Sequence, residues 1–407
     1  MASAQSSQAV VEENEQIIEE DINNFAPVRK SYNTLGLSIL CICIASFVIQ
    51  TELAQFVQTG INFHKPYFIL WIAHSCYVII LPLQFMFRLD PIQYLEEFFN
   101  VGVELASTVK PTYYSALTRN RATEESDEHN INNSEDFTSI MQILTSGYYR
   151  SVIIYILNTS FLFSFCLCIV GYIWYIAVNL TTMAKLTAIY NTSCFWAYAF
   201  SIILLNESIK LEKVLATFLS IAGVVIMTYF TKEDKDNGHL DNSMIILMGD
   251  LLACFGALMF GLYQVLYKKL GSPPIPSFLF ANTITGLIGI HTFFILWIPI
   301  PLLHYTGIEL FELPDAGTFG YILLIALAGV FFNASYLLVI ALTSPLFAAI
   351  GIMLTIPIVA WVDLILINTP ITASTVIGGF CILIAFILLS WTNIKDEIRK
   401  LYLVRDK

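Results

Sequence analysis

Six ionisable side chains lie inside long apolar runs of this sequence, where they would have little contact with water. They are Glu52, His74, Lys185, Asp250, His291 and Asp363. An ionisable group is costly to bury in such a setting, so it commonly faces a wet cavity, a bound molecule or an opposite charge. Glu52 and Asp363 have no obvious partner close by in the sequence. Each carboxylate could therefore hold a cationic ligand or carry a coupling proton.

Each of these side chains also has a plainer explanation. Lys185 begins an apolar run, so its ammonium group can extend to the interface with water. Asp250 lies near the start of another run, where the helix dipole favours an anion. Both histidines can be hydrogen-bonded packing groups, and the carboxylates of Glu52 and Asp363 can be structural or interfacial. The sequence leaves the functional and the structural explanations open.

A polar stretch interrupts one apolar run, where residues 188–201 read AIYNTSCFWAYAFS. Helical periodicity puts Asn191, Phe195 and Tyr198 on one face and Tyr190 on an adjacent face. Small and hydroxyl residues let membrane helices approach each other, so helix packing is one explanation. A helix that lines a pathway with amide and aromatic groups is the other. The same two explanations apply to Trp174, Asn333, Tyr336 and Trp361.

The composition is that of a membrane protein with several spans. Of 407 residues, 57% are hydrophobic and 13% are charged, and the mean hydropathy is +0.71. Soluble domains are about 25% charged. The net charge of −11 comes mostly from residues 1–33, 88–150 and 231–243, and acidic tails are typically solvated and disordered. We therefore expect membrane lipid, and no nucleic acid, as a partner.

The cysteines give no sign of a redox or metal centre, and the first residues give no sign of a signal peptide. All eight cysteines lie inside apolar runs, where a free cysteine behaves as a small hydrophobic residue. We expect no disulfides, no metal site and no cofactor. The first thirty residues have no basic stretch before an apolar core, so we expect no cleavable signal peptide.

Ten runs are long enough to cross a bilayer as helices, since about 20 apolar residues suffice. They are residues 34–54, 67–87, 151–176, 183–205, 211–230, 244–267, 277–299, 317–342, 345–367 and 371–392. Residues 88–150 form a long hydrophilic connection, and Pro91–Val109 within it is a candidate interfacial helix. The predicted fold is therefore an all-α polytopic membrane protein.

The distribution of basic residues predicts the orientation. With a cytosolic N-terminus, sixteen of the 20 Lys and Arg residues fall on the cytosolic side and three fall on the other side. An excess of Lys and Arg marks the cytosolic side of a membrane protein. We expect both termini, residues 1–33 and 393–407, in the cytosol.

The two halves of the chain resemble each other at an offset of 162 residues. Leu180-Thr181-Thr182 aligns with Leu342-Thr343-Ser344, and Trp174 aligns with Tyr336. Spans three to five thereby align with spans eight to ten without a gap. A repeat of five helices must be inverted in the membrane, which is the architecture of secondary transporters. The predicted repeats are residues 34–230 and 244–392.

Several stretches of the sequence resemble one transporter family. They are Thr51–Ala54 (TELA), Lys65–Trp71 (KPYFILW), Leu180–Thr182 (LTT), Ser220–Val224 (SIAGV), Leu262–Lys268 (LYQVLYK), and Leu354–Ile358 (LTIPI) with Asp363. They resemble the drug/metabolite transporter superfamily (EamA-like), and within it solute carrier family 35, subfamily F, with members proposed as thiamine transporters. The family pattern has glutamine where this chain has Glu52.

The resemblance implies ten helices, alternating access without ATP and a small-molecule substrate. It implies a pathway lined by helices one, three, four and six and their counterparts, in an endomembrane such as Golgi, vacuole or ER; a homodimer is left open. The candidate substrate contacts are Glu52, His74, Lys185, Tyr190, Asn191, Tyr336 and Asp363.

The charges inside the spans favour a cationic substrate over a nucleotide sugar. A diphosphate needs cationic partners, and Lys185 is the one such cation inside a predicted span. Acidic and aromatic side chains suit a cation with a flat ring, such as thiamine. A transporter of nucleotide sugars or other metabolites, a membrane receptor or scaffold, and a membrane-bound enzyme remain as alternatives.

We expect Glu52→Gln and Asp363→Asn each to impair transport, because each change removes a charge inside a span. Flux into proteoliposomes tests this, with size-exclusion chromatography as the control for folding. Unchanged flux in both variants would remove these two residues from the candidate site.

Overall fold

The described part of the chain is built from helices. The computed structural model describes residues 35–36, 38–54, 56–87, 91–109, 147–178, 180, 186, 189–230, 243–355 and 373–405. Its helices are α1 (Ser38–Gln58), α2 (Pro66–Ser75), α3 (Ile80–Phe87), α4 (Pro91–Val109), α5 (Gly147–Val178), α6 (Ser193–Leu204), α7 (Leu211–Phe230), α8 (Ser243–Leu270), α9 (Phe278–Phe294), α10 (Pro299–Tyr305), α11 (Ala316–Leu342), α12 (Pro345–Met353) and α13 (Ala373–Arg405). A π-helical turn, Phe56–Gly60, ends α1, and a 3₁₀ turn, Cys76–Ile79, joins α2 to α3.

Six stretches in this part of the chain are long and apolar enough to cross a membrane. They are Ser38–Gln58, Pro66–Gln84, Arg150–Ala177, Leu247–Leu270, Phe278–Tyr305 and Ala316–Leu342. Each coincides with a run predicted from the sequence. Shorter apolar helices, Ile189–Leu204 and Val376–Thr392, fall in two further predicted runs. The all-helical membrane architecture is therefore confirmed, while the number of ten spans stays a prediction.

Several helix starts are set by local sequence. The Ser277 and Ser344 hydroxyls accept hydrogen bonds from the N–H groups of Phe280 and Phe347, each at 3.2 Å. The Asp315 carboxylate accepts hydrogen bonds from the Thr318 hydroxyl and from the N–H groups of Gly317 and Thr318. These contacts, the Thr318 hydroxyl foremost, hold the pKa of this exposed carboxyl below its usual value. Such caps satisfy N–H groups that have no partner within the helix.

The helices of the two halves pack against each other across the whole molecule. Helix α8 packs on α5 and α6, and α11 packs on α2 and on the last turn of α1. Helix α9 packs on α2 and α5, and α12 packs on α6. The interior is thus formed jointly by helices before residue 230 and helices after residue 243.

Among the described helices, the most extensive contact is the one between α7 and α13. Each is the last helix of one predicted repeat. A methyl group on Gly223 would lie 2.6 Å from the carbonyl oxygen of Gly378. Glycine at this position therefore lets the two backbones touch, as small residues do where membrane helices cross closely.

Helix α4 forms where the interfacial helix was predicted. Its buried side chains include Tyr94, Phe98 and Phe99, and a methyl group on Gly102 would meet Val152 and Ile156 of α5. The apolar face of α4 therefore packs on the helix bundle.

We predict that Gly289→Ala lowers the free energy of unfolding by about 1–3 kcal/mol, the usual cost of overpacking. A methyl group there would lie 2.8 Å from the Tyr77 carbonyl carbon and press on the Val78 amide. Gly320→Ala is the matched control, because nothing lies within 4 Å of its added methyl group. Thermal unfolding in detergent compares the two variants, and equal melting points would contradict the close approach of α9 to the Cys76–Ile79 turn.

Candidate functional site

An aromatic array runs through the interior where α1, α8 and α11 meet. The rings of Phe332 and Tyr336 stack at 5.4 Å between centroids, and those of Tyr336 and Phe260 stack at 5.8 Å. The array continues to Tyr263 at 6.4 Å on one side and to Phe47 at 5.1 Å on the other. Five aromatic faces from both halves of the chain thus line one region. We call these five residues the aromatic array.

Several polar groups in and beside the aromatic array are buried without a hydrogen-bond partner in the structure. They are the Tyr263 and Tyr336 hydroxyls, the Asn333 amide nitrogen and both amide atoms of Gln264. These side chains are at most 2% exposed. A buried polar group without a partner is costly, at about 1–3 kcal/mol. The region can therefore supply neutral donors and flat aromatic faces to a bound molecule.

Sequence spacing explains how these groups converge. Phe260, Tyr263 and Gln264 follow the i, i+3, i+4 pattern of one helical face on α8. On α11, Tyr336 lies four residues after Phe332 and three after Asn333, so it neighbours both on the helix surface. The α1 residues Cys43 and Phe47 are one turn apart. The Cys43 thiol approaches the Phe332 carbonyl at 4.0 Å, which brings α1 to the same region.

His74 of α2 is buried next to Tyr77 and Cys168. Its ring stacks on Tyr77 at 5.1 Å, and its Nδ1 lies 3.6 Å from the Cys168 sulfur. His74 is 6% exposed. Tyr77 belongs to the same buried cluster as Tyr263 and Tyr336.

Serine, threonine and histidine pairs hold α5 against α9. The Ser160 hydroxyl lies 3.0 Å from His291 Nε2, and the Ser164 hydroxyl lies 2.9 Å from the Thr292 hydroxyl. His291 therefore has the hydrogen-bonded packing arrangement that was one of its two explanations.

Tyr190 and Asn191 lie apart from the aromatic array. The Tyr190 hydroxyl donates to the Val170 carbonyl at 3.2 Å, and its ring packs over Gly256 of α8. Tyr190 belongs to a small cluster with Ala177, Leu186 and Ala253. Asn191 is half-buried next to it.

The acidic and basic candidates are distributed differently. Glu52 is exposed in the last part of α1, and Asp250 is half-buried near the start of α8. Lys185 and Asp363 lie outside the described residues, as does Trp361. Of the seven candidate contacts, the structure brings Tyr336 and His74 to one interior region.

The sequence reasoning missed Phe260, Tyr263 and Gln264. Tyr263 and Gln264 belong to the stretch LYQVLYK, and Phe260 lies two residues before it. The signal was present in the spacing of aromatic and amide residues along one face. Aromatic periodicity in an apolar run is also what plain packing produces, so it did not stand out.

The chain is similar to several proteins named as membrane or transport proteins. An uncharacterized transporter of Schizosaccharomyces pombe is 30% identical over 219 residues, which are 53% of this chain and 63% of that protein. An uncharacterized vacuolar membrane protein of Saccharomyces cerevisiae is 25% identical over 387 residues, 89% of this chain and 92% of that protein. The thiamine-repressible mitochondrial transport protein THI74 of the same yeast is 24% identical over 271 residues, 64% of this chain and 72% of that protein.

The resemblance to solute carrier family 35, subfamily F, is confirmed. Members F5 of Macaca fascicularis and F3 of Homo sapiens match 59% and 53% of this chain. The chain spans 63% of the Schizosaccharomyces pombe relative and 56% of member F5. No protein-family model matches the chain.

A solved crystal structure shares the overall fold. Its chain superposes with a TM-score of 0.51 at 11% identity, over 90% of this chain and 99% of that one. At this identity the similarity concerns the fold alone.

We predict that Tyr336→Phe leaves the free energy of unfolding within about 1 kcal/mol of wild type, because the lost hydroxyl has no partner in the structure. Tyr190→Phe is the control, and it should lose about 1 kcal/mol with its bond to the Val170 carbonyl. Denaturation in detergent measures both. A larger loss for Tyr336→Phe would show that its hydroxyl supports the fold.

Proposed function

We propose that the chain is a secondary transporter that moves a small organic molecule by alternating access and binds it at the aromatic array. The observation that carries this proposal is the buried set of unpaired neutral donors beside stacked rings, at the junction of both halves of the chain. Substrate sites of inverted-repeat transporters lie at such a junction, near the middle of the membrane.

The packing of the helices supports an inverted repeat. Exchanging α2 with α9, α5 with α11, α6 with α12 and α7 with α13 relates several of the contacts to one another. The α9–α5 contact becomes α2–α11, and α2–α5 becomes α9–α11. The α2–α9, α6–α12 and α7–α13 contacts map onto themselves. This symmetry agrees with the offset of 162 residues between the halves.

The chemistry of the array supports a flat, cationic substrate such as thiamine. Stacked tyrosine and phenylalanine rings attract a cation through their faces, and the effect grows when water is excluded. The polar groups that the structure places there are phenols, amides and a thiol, all neutral donors or acceptors. One relative's name connects it to thiamine, since THI74 is called thiamine-repressible.

A nucleotide-sugar transporter of the same fold is the second candidate. Its diphosphate would need a cation at the site. Lys268, the residue after Tyr267 on α8, already donates to the Ile340 and Ala341 carbonyls at 3.1 and 2.7 Å. Lys185 would then be the residue that binds phosphate.

The relatives support a transporter in an internal membrane. Their names describe transporters and a vacuolar membrane protein, which favours transport over enzymatic catalysis. A vacuolar relative that covers most of the chain supports an endomembrane location. Cytosolic termini, proton coupling and a homodimer remain parts of the proposal.

A thermal-shift panel on purified protein tests the proposed substrate class. Thiamine, thiamine pyrophosphate, nucleotide sugars and nucleoside monophosphates are compared. A ligand at one hundred times its Kd stabilises the folded state by about 2.7 kcal/mol, so we expect a higher melting point with thiamine.

Tyr336→Leu should abolish this shift, because it removes the central ring of the aromatic array. Trp297→Leu is the control, since Trp297 is an exposed aromatic residue of the same membrane-spanning stretch as α9. A shift with nucleotide sugars alone would overturn the cationic-substrate proposal.

A further inference from the structure

One buried carboxylate joins the two halves of the chain at a membrane face. Glu309 lies in the connection 306–315 between α10 and α11. Its two carboxylate oxygens accept hydrogen bonds from the backbone N–H groups of Tyr67 and Phe68, each at 3.0 Å. Glu309 is 9% exposed, although its neighbours Ile308 and Leu310 are 70% and 53% exposed. The side chain therefore turns inward from an otherwise exposed connection.

The contact satisfies the start of α2. Tyr67 and Phe68 lie in the first turn, where N–H groups have no partner within the helix and the helix dipole favours an anion. No local side chain caps this helix, so a residue 242 positions away does so. We call Glu309 with these two N–H groups the Glu309 clamp.

Further bonds support the clamp on the same side. The Tyr67 hydroxyl donates to the Leu296 carbonyl at 2.9 Å, and the Trp71 indole N–H donates to the Thr292 carbonyl at 3.1 Å. The first half of α2 is thus bound to the second half of the chain by polar contacts that water could replace if this face opened.

At the other end of these helices, α3 and α4 contact the start of α9. The contacts there are also polar, but they carry no charge. Gln84 of α3 donates to the Leu279 carbonyl at 3.1 Å, and the Tyr94 hydroxyl of α4 lies 2.6 Å from the Thr283 hydroxyl. When the two halves are exchanged, α4 takes the place in the chain of the connection 306–315. Each face therefore has a polar contact at this place, through the Glu309 carboxylate on one face and through uncharged side chains on the other.

We propose that the Glu309 clamp is the closing contact of its membrane face, formed when that face is closed and released when it opens. This proposal rests on the proposed transport function. Glu309 is then a positioning residue for transport, because it acts through α2 and touches no substrate.

The Glu309 carboxyl can gain or lose a proton, so the strength of the clamp depends on pH and on the titratable groups around it. Lys65 of the preceding connection, and the hydroxyls of Tyr67 and Tyr172, are the titratable groups that interact with it. Glu312, on the same connection, forms an ion pair with Lys65 at 3.3 Å.

Burial raises the pKa of Glu309, although its two N–H bonds and Lys65 act in the opposite direction. The clamped state therefore binds a proton more tightly than a released, solvated state. The clamp is therefore strongest in acid and weakens as the pH rises through the raised pKa of Glu309.

Hydrogen–deuterium exchange of the full-length protein in lipid nanodiscs tests the clamp, with the Tyr67 and Phe68 amides as reporters. Rates are divided by the intrinsic rate at each pH. In wild type we expect protection to fall as the pH rises through the raised pKa of Glu309. In Glu309→Gln we expect exchange about tenfold faster, with no pH dependence, because the amide NH₂ would face one of the two N–H groups as a second donor and leave that group without an acceptor.

Glu312→Gln is the matched control, because its carboxylate is 68% exposed and lies on the same connection. It should exchange like wild type. Glu309→Asp, which keeps the charge on a shorter side chain, should fall between wild type and Glu309→Gln.

Two results would overturn the proposal. One is unchanged exchange at Tyr67 and Phe68 in Glu309→Gln. The other is wild-type exchange at these amides as slow as at Ile69 and Leu70 at every pH, which would make Glu309 a fixed cap. Neither result depends on a ligand, so failure of the thermal-shift panel would leave this measurement intact.

Discussion

Hydrocarbon offers no hydrogen-bond partner, and this constraint shapes the whole molecule. Backbone groups are satisfied within helices, because no water replaces a missing bond there. Hydroxyl side chains follow the same rule, as Thr159, Thr283 and Thr285 each donate to the carbonyl four residues earlier in the helix. Among the described residues, buried polar groups without a partner occur on α8 and α11, and also at Gln58, Ser75, Ser201 and Ser272. Those on α8 and α11 are the basis of the proposed binding region.

The aromatic array and the Glu309 clamp perform different parts of one proposed task. The array lies where α1, α8 and α11 meet and supplies neutral donors and ring faces. The clamp lies at the rim, where a connection reaches across from the second half of the chain to α2. His74 lies further along α2 than the clamped residues and stacks on Tyr77, which is part of the turn that follows α2.

The sequence predicted the membrane architecture well, because hydropathy reports directly on which segments can leave water. Tyr336 was among the aromatic residues for which helix packing and a pathway lining were both left open, and the structure places it in the aromatic array. Glu309 could not be predicted in this way. Its partner N–H groups are 242 residues away, and nothing in local periodicity reports a contact between a connection and a distant helix. Phe260 and Tyr263 were missed because aromatic spacing on one face is the same for packing and for binding.

The contact between α7 and α13 contributes to the association of the two predicted repeats. These helices end the two predicted repeats, and their backbones touch at Gly223 and Gly378. The covalent connection between Phe230 and Ser243 adds mainly a closure entropy, which changes slowly with loop length. The specificity of assembly therefore resides in matched helix surfaces. Ancestral halves encoded as separate chains could have assembled through the same surface before a linker joined them.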